Sequence, residues 1–112
     1  MSGWIGVDLD GTLAHYEGWK AGGEIGKPIP KMVARVKKWL KEGRTVKVFT
    51  ARVAHDNGSE RWRIKAWCKE HIGQDLEVTN KKDHGMVEFW DDRAVEVRIN
   101  TGEPVNIQRR KE

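Results

Sequence analysis

Pairs of acidic residues follow two apolar runs of the sequence. Asp8 and Asp10 lie one residue apart in the stretch VDLDGTL, directly after a short apolar run. Asp91 and Asp92 directly follow the run MVEFW. Closely spaced carboxylates can hold a divalent cation, attack an electrophile or carry a proton. Gly11 lets the chain turn sharply after Asp10 and lets backbone approach a ligand.

Hydroxyl and ammonium groups follow two further apolar runs. Thr50 ends the stretch TVKVFT, and Lys81 and Lys82 come shortly after LEVT. Such groups, with backbone N–H groups, can bind phosphoryl oxygens, while a carboxylate can attack phosphorus and form an aspartyl-phosphate. Mg²⁺ prefers oxygen ligands, which Asp8 and Asp91 with one backbone carbonyl could provide. The residue types therefore favour phosphoryl transfer.

Apolar periodicity predicts the elements that carry these residues. Short apolar or β-branched runs predict strands over 4–9, 45–50, 76–79 and 86–90, with further strands over 94–99 and 105–107. Helical spacing predicts a helix that begins at Pro30 and stops at Gly43, and a second over 60–72 with Ser59 as its N-cap. Residues 14–30 are rich in Gly and Pro, which is typical of a loop or small hairpin.

The order of these elements predicts an α/β fold in one domain over residues 1–112. We expect three layers, with a mostly parallel, Rossmann-like sheet and helices on its two faces. Ligands of such sheets bind beyond the carboxyl ends of the strands, so the acids, Thr50 and a lysine should converge on one crevice. The gaps between these residues are too short for a further folded domain, and we expect residues 14–30 to overhang an open site.

The four strand-end stretches resemble the motifs of the haloacid dehalogenase superfamily of phosphotransferases. They occur in the order of that family and, with their strands, span nearly the whole chain: DLDGTL (8–13), VFTAR (48–52), NKKD (80–83) and FWDDRA (89–94). The resemblance implies a capless phosphatase with an α/β/α fold, a Mg²⁺ cofactor and an aspartyl-phosphate intermediate.

The resemblance also implies roles for individual residues. Asp8 is expected to be the nucleophile and a metal ligand. Asp10 is expected to be the general acid and base, with its backbone carbonyl on the metal. Thr50 and the backbone N–H of Ala51 are expected to bind the phosphoryl group, and Asp91 is expected to complete the metal site.

The lysine of the third motif has two candidates in this chain. Lys82 is preferred to Lys81, and Asp83 follows where many relatives have proline. The choice between the two lysines moves one residue and leaves the mechanism unchanged.

Three further residues have supporting or alternative assignments. Thr12 is expected to brace the first motif by hydrogen bonding, and Asp92 to bind the metal through water or to position a ligand. Arg52 could present its planar guanidinium to a second anionic group of the substrate, or pair with Asp56 or Glu60.

Charge distribution bears on the substrate. The chain has 112 residues, a net charge of +4 and a pI of about 9.3. A basic segment contains Lys31, Arg35, Lys37, Lys38, Lys41 and Arg44. It is typical of a solvated helix face, and it also favours nucleotide or polynucleotide phosphates among phosphomonoesters.

Two other functions remain open for these residues: a non-catalytic phosphate- or nucleic-acid-binding module, and a Mg²⁺-dependent nuclease. Asp10 is needed for turnover and not for binding, so its presence favours an enzyme over a binding module. A threonine and a lysine dedicated to a terminal phosphate favour a phosphomonoesterase over a nuclease. The expected partner is a phosphorylated small molecule or nucleic-acid end. A homo-oligomer is also open, because a second subunit could cover the site.

The sequence predicts no interaction with a membrane, since no apolar run is long enough to span one. A single cysteine, Cys68, forms no internal disulfide, so a reducing cytoplasm is the expected location.

Overall fold

The computed structural model describes residues 3–18, 23–55 and 58–105. Its elements are β1 (Trp4–Val7), α1 (Pro30–Lys41), β2 (Thr45–Phe49), a 3₁₀ turn (Ala51–Val53), α2 (Ser59–His71), β3 (Glu77–Thr79) and β4 (Met86–Trp90). The strands form one sheet in the order β3-β2-β1-β4, and every neighbouring pair is parallel. The predicted α/β class and parallel sheet are confirmed.

One face of the sheet carries the hydrophobic core. Ile5 pairs in register with Val46, and Val7 with Val48, which pairs with Val78 on the other side. Residues in register on neighbouring strands share a face. The buried cluster on this face includes residues from both helices: Met32, Val33 and Val36 of α1, and Ile64, Trp67 and Cys68 of α2.

Both helices therefore pack on the same face, whereas the sequence predicted helices on two. The connections from β1 to β2 and from β2 to β3 move in one direction across the sheet, and right-handed crossovers in one direction stay on one side. The connection from β3 to β4, residues 80–85, is too short to hold a helix. The described residues thus form two layers.

Aromatic side chains cover the other face. Trp4 is buried there without belonging to the main core cluster, and the ammonium of Lys47 lies 4.5 Å from the centre of its ring. The rings of Phe49 and Phe89 lie 5.0 Å apart. Trp4 on the central strand is therefore buried without a helix over it.

Local details differ from the predictions at two places. Gly58, with a φ of +110°, precedes α2 as its N-cap, so Ser59 is the first helical residue instead. Residues 94–99 form no strand of the sheet, because Val97 and Pro104 make an isolated antiparallel bridge in a small hairpin. In that hairpin the amide of Arg98 donates to the carbonyl of Glu103 at 2.8 Å. Of the predicted strand 105–107, residues 106 and 107 lie outside the described residues.

The segment before α1 folds back on the end of the first motif. The amide of His15 donates to the carbonyl of Lys27 at 2.8 Å, and the amide of Ile29 donates to the carbonyl of Leu13 at 2.9 Å. Trp67 of α2 donates through Nε1 to the carbonyl of Gly26 at 3.0 Å. These bonds hold the end of the segment against α2. No helix in the described part of the chain is long and apolar enough to cross a membrane.

Candidate active site

Three carboxylates meet at the carboxyl ends of β1 and β4. These strands are neighbours, and the amide of Asp8 continues their pairing by donating to the carbonyl of Trp90 at 2.9 Å. The chain leaves both strands at this level, so Asp8 comes next to Asp91 and Asp92. One carboxylate oxygen from each of the three lies within 4.8 Å of the others.

The charges in this cluster alter the acidity of Asp8. Burial, the charge of Asp91, and the hydrogen bond and charge of Asp92 together raise the pKa of Asp8 from 3.8 to about 8. A carboxylate in such surroundings is stabilised by a proton or by a cation. Three hard oxygen donors so close together suit a divalent cation such as Mg²⁺, so these residues fit the metal that the resemblance implies.

The loop after Asp8 is built around Asp92. Gly11 has a φ of +94°, and a Cβ at this position would lie only 2.7 Å from an oxygen of the Asp92 carboxylate. Glycine is therefore required for both its backbone conformation and the close approach. The hydroxyl of Thr12 donates to Oδ1 of Asp92 at 3.2 Å and accepts from the Asp92 amide at 3.0 Å. Thr12 thus fastens the first motif to the fourth.

The side chain of Asp10 pairs with Arg52. Nε and Nη2 of Arg52 donate to the two carboxylate oxygens of Asp10, at 2.7 and 3.0 Å. Asp10 contributes less to the raised pKa of Asp8 than Asp91 or Asp92 does. The two carboxylates of the first motif therefore have different partners.

Arg52 is buried and engaged on several sides. Its side chain is 4% exposed, and Nη1 donates to Glu60 at 3.2 Å and to the carbonyl of Gly23 at 2.9 Å. Burial alone would lower the pKa of Arg52, but the hydrogen bonds and charges of Asp10 and Glu60 raise it above its ordinary value. The predicted pairing with Glu60 is present, and the pairing with Asp10 was missed. Asp56, the other predicted partner, lies outside the described residues.

Thr50 lies at the end of β2 and is almost fully buried, with 2% exposure. Its amide donates to the carbonyl of Thr79, and its hydroxyl oxygen accepts from the amide of Arg52 at 3.1 Å. Thr50 thereby caps the 3₁₀ turn that begins with Ala51. The cap fixes where Arg52 leaves the strand end.

Lys81 and Lys82 are both exposed. The amide of Lys81 donates to the hydroxyl of Thr79, but neither ammonium has a hydrogen-bonding or charged partner in the described ranges. The geometry thus favours neither lysine, and the preference for Lys82 stays a prediction.

Asp83 anchors the connection between β3 and β4. Its carboxylate accepts from Nε1 of Trp4 at 2.9 Å and from the amide of Gly85 at 2.8 Å. These hydrogen bonds, that of Trp4 first, lower the pKa of Asp83. The sequence contained no signal for this contact, because Trp4 and Asp83 are far apart along the chain.

Comparison with known proteins supports the fold. No family model and no curated protein matches the chain. Its structure is similar to that of a conserved protein from Bacteroides thetaiotaomicron, with a TM-score of 0.61 and 24% sequence identity. The match covers 85% of this chain and 79% of the other. At this level of identity the likeness concerns the arrangement of the elements alone.

Proposed function

We propose that this chain is a Mg²⁺-dependent phosphomonoesterase of the haloacid dehalogenase type, acting through an aspartyl-phosphate at Asp8. The observation that carries the proposal is the divergence of the two carboxylates of the first motif. Asp8 lies in a cluster with Asp91 and Asp92, and Asp10 is held separately by Arg52. A nucleophile and a proton carrier need different surroundings, and the separate partners of Asp8 and Asp10 support this division of roles. A cation held by the acid cluster would favour the ionised form of Asp8 that attack requires.

The proposed reaction has two displacements. An oxygen of Asp8 attacks phosphorus, the bond to the leaving oxygen breaks, and Asp10 gives that oxygen a proton. A water molecule then attacks the aspartyl-phosphate and loses a proton to Asp10, which releases inorganic phosphate and restores Asp8. Thr50, the amide of Ala51 and one of the two lysines are assigned to the phosphoryl oxygens.

Asp8, Asp91 and the backbone carbonyl of Asp10 are proposed to hold the metal, with Asp92 bound directly or through water. When bound, a divalent cation supplies positive charge that offsets the carboxylates and the phosphoryl oxygens. Residues of the chain do the rest. Thr12 and Gly11 keep Asp92 close to the first motif, and Arg52 keeps the carboxylate of Asp10 turned toward β2.

The test is hydrolysis of p-nitrophenyl phosphate with Mg²⁺ and with EDTA, in wild type and in Asp8→Asn. We expect Asp8→Asn to reduce the rate to background, because an amide oxygen is a poor nucleophile toward phosphorus. Asp75→Asn is the matched control, since Asp75 is exposed and precedes β3 at the opposite edge of the sheet. Retained activity in Asp8→Asn would refute the nucleophile.

The same variant separates the two enzyme hypotheses. A circular single-stranded DNA has no terminal phosphate, so a phosphomonoesterase leaves it intact. Mg²⁺-dependent cleavage of this DNA that persists in Asp8→Asn would favour the nuclease instead.

A further inference from the structure

A groove of about 300 Å³ opens beside the acid cluster. It lies between the first half of α1 and the end of β4, and Asp91 and Asp92 are among its lining residues. Its apolar lining comes from Ile29, Met32 and Trp90. The groove is next to the place where a phosphate would meet Asp8, because it shares Asp91 and Asp92 with the acid cluster.

Two cations line the same groove, Lys31 and Arg35. They are four residues apart on α1, so they lie on one side of the helix about 6 Å apart along its axis. Neither forms an ion pair with a carboxylate of the described ranges. The guanidinium of Arg35 lies 5.0 Å from the centre of the Trp90 ring, and its Nη1 contacts Sδ of Met32 at 3.6 Å.

The position of Arg35 is thus set by packing against Trp90 and Met32, which leaves its charge available to an anion. This matters because Asp91 and Asp92, which also line the groove, repel anions. A ligand that carries two negative groups could place one at the acids, with their metal, and the other at Lys31 and Arg35, because all four side chains line one groove.

We propose that the groove binds the leaving group of the substrate, and that this leaving group is a nucleoside bearing a second phosphate. The assignment rests on the proposed phosphomonoesterase function. The volume suits one nucleoside, the apolar lining suits a base and the carbon face of a ribose, and the two cations suit the second phosphate.

A nucleoside bearing two phosphates can come from two sources, a free nucleoside 3′,5′-bisphosphate or the phosphorylated end of a polynucleotide. Lys38 continues the line of Lys31 and Arg35 along α1 and is exposed. A polynucleotide would place a further phosphate near Lys38, whereas a free bisphosphate would end before it. Binding to a longer ligand therefore distinguishes the sources.

The experiment measures binding in the Asp8→Asn background, where ligands are expected to survive, by titration calorimetry with Mg²⁺. The ligands are adenosine 3′,5′-bisphosphate, adenosine 3′-monophosphate, adenosine 5′-monophosphate and a 3′-phosphorylated tetranucleotide. Lys31→Gln/Arg35→Gln is compared with Lys37→Gln/Lys41→Gln, which removes the same charge from an adjacent side of the same helix. Helix content of both variants is checked by circular dichroism.

We expect the bisphosphate to bind about tenfold or more tightly than either monophosphate, as one charge-assisted contact allows. Lys31→Gln/Arg35→Gln should lose this preference, and Lys37→Gln/Lys41→Gln should keep it. Tighter binding of the tetranucleotide that is lost in Lys38→Gln identifies a polynucleotide end, and equal binding identifies the free bisphosphate.

Equal affinity for mono- and bisphosphate, or equal losses in the two double variants, would overturn the groove assignment. Hydrolysis of p-nitrophenyl phosphate by the wild type tests the proposed phosphomonoesterase function separately. If that hydrolysis is present, the phosphomonoesterase stands although the groove fails. If it is absent, the proposed function fails, and the groove loses its role as a leaving-group site whatever it binds.

Discussion

Replacing Arg52 by methionine tests how strongly the site depends on one buried cation. Methionine keeps most of the apolar stem of the side chain and removes the guanidinium. Asp10 then loses the guanidinium that binds both of its carboxylate oxygens, and Glu60 loses one of its partners while keeping Arg63. The side chains of Asp10 and Glu60 are only 16% and 14% exposed. Removing one member of a buried pair costs about 3–5 kcal/mol, and the partial exposure of both acids places the expected loss near about 3 kcal/mol.

The assay is urea unfolding followed by tryptophan fluorescence, because a domain of this size is expected to unfold in one step. With a slope of about 1–3 kcal/mol per molar urea, a loss of about 3 kcal/mol lowers the midpoint by about 1–3 M. Arg63→Met is the matched control. Arg63 also donates to Glu60 and to the carbonyl of Gly23, but it is 35% exposed, so a loss of about 1 kcal/mol or less is expected.

A double-mutant cycle separates the charge from the packing. If the loss comes from an unpaired carboxylate, Asp10→Asn should be less harmful in the Arg52→Met background than in wild type, with a coupling of about 1 kcal/mol or more. Equal losses in Arg52→Met and Arg63→Met, or additive effects in the cycle, would refute the argument that Arg52 supports Asp10 and Glu60 through its charge.

Two further predictions concern the acid cluster. In EDTA, the free energy of unfolding of the wild type should fall as pH rises from about 4 to about 8. Asp8 in the folded chain keeps its proton up to a pKa of about 8, whereas Asp8 in the unfolded chain loses it near 3.8. The unfolded chain therefore binds fewer protons across this range, and rising pH favours it. Urea midpoints across this range measure the fall, and an equal fall in Asp8→Asn would contradict it. We expect Mg²⁺ to raise the Tm of the wild type through the proposed metal site, and Gly11→Ala should weaken this rise, because the new Cβ would displace Asp92. Gly102→Ala has a similar positive φ with open space around it, so its Mg²⁺ response should match wild type, and equal responses in both variants would contradict the steric reason.

The elements that hold the site could be predicted because their signals are local. β4 was predicted at its observed bounds, and β1, β2 and β3 within two residues of theirs, because each is a short apolar run that stops at a polar residue. Pro30 marked the first residue of α1 for the same local reason, its fixed φ. The strand ends then placed Asp8 beside Asp91 through the parallel pairing of β1 with β4.

The pairing of Asp10 with Arg52 could not be predicted in the same way. Both residues were assigned to the site, but their side chains choose among several partners, and that choice depends on rotamers and on the position of Glu60. The layer count failed for a related reason. Whether a helix covers a face of the sheet depends on the direction of each crossover. That direction follows from the strand order, which the residues of each strand do not reveal by themselves.

The strand order also explains why two carboxylates from one strand end have different surroundings. β1 lies between β2 and β4, so its carboxyl end has a neighbour on each side. On one side β4 ends in Asp91 and Asp92, which raise the pKa of Asp8. On the other side β2 is followed by the turn that contains Arg52, and Arg52 forms an ion pair with Asp10. An edge strand would have only one of these neighbours, and the same Asp-x-Asp sequence there would place both acids in one environment. The central position of β1 is thus the physical basis for dividing attack and proton transfer between Asp8 and Asp10 in the proposed reaction.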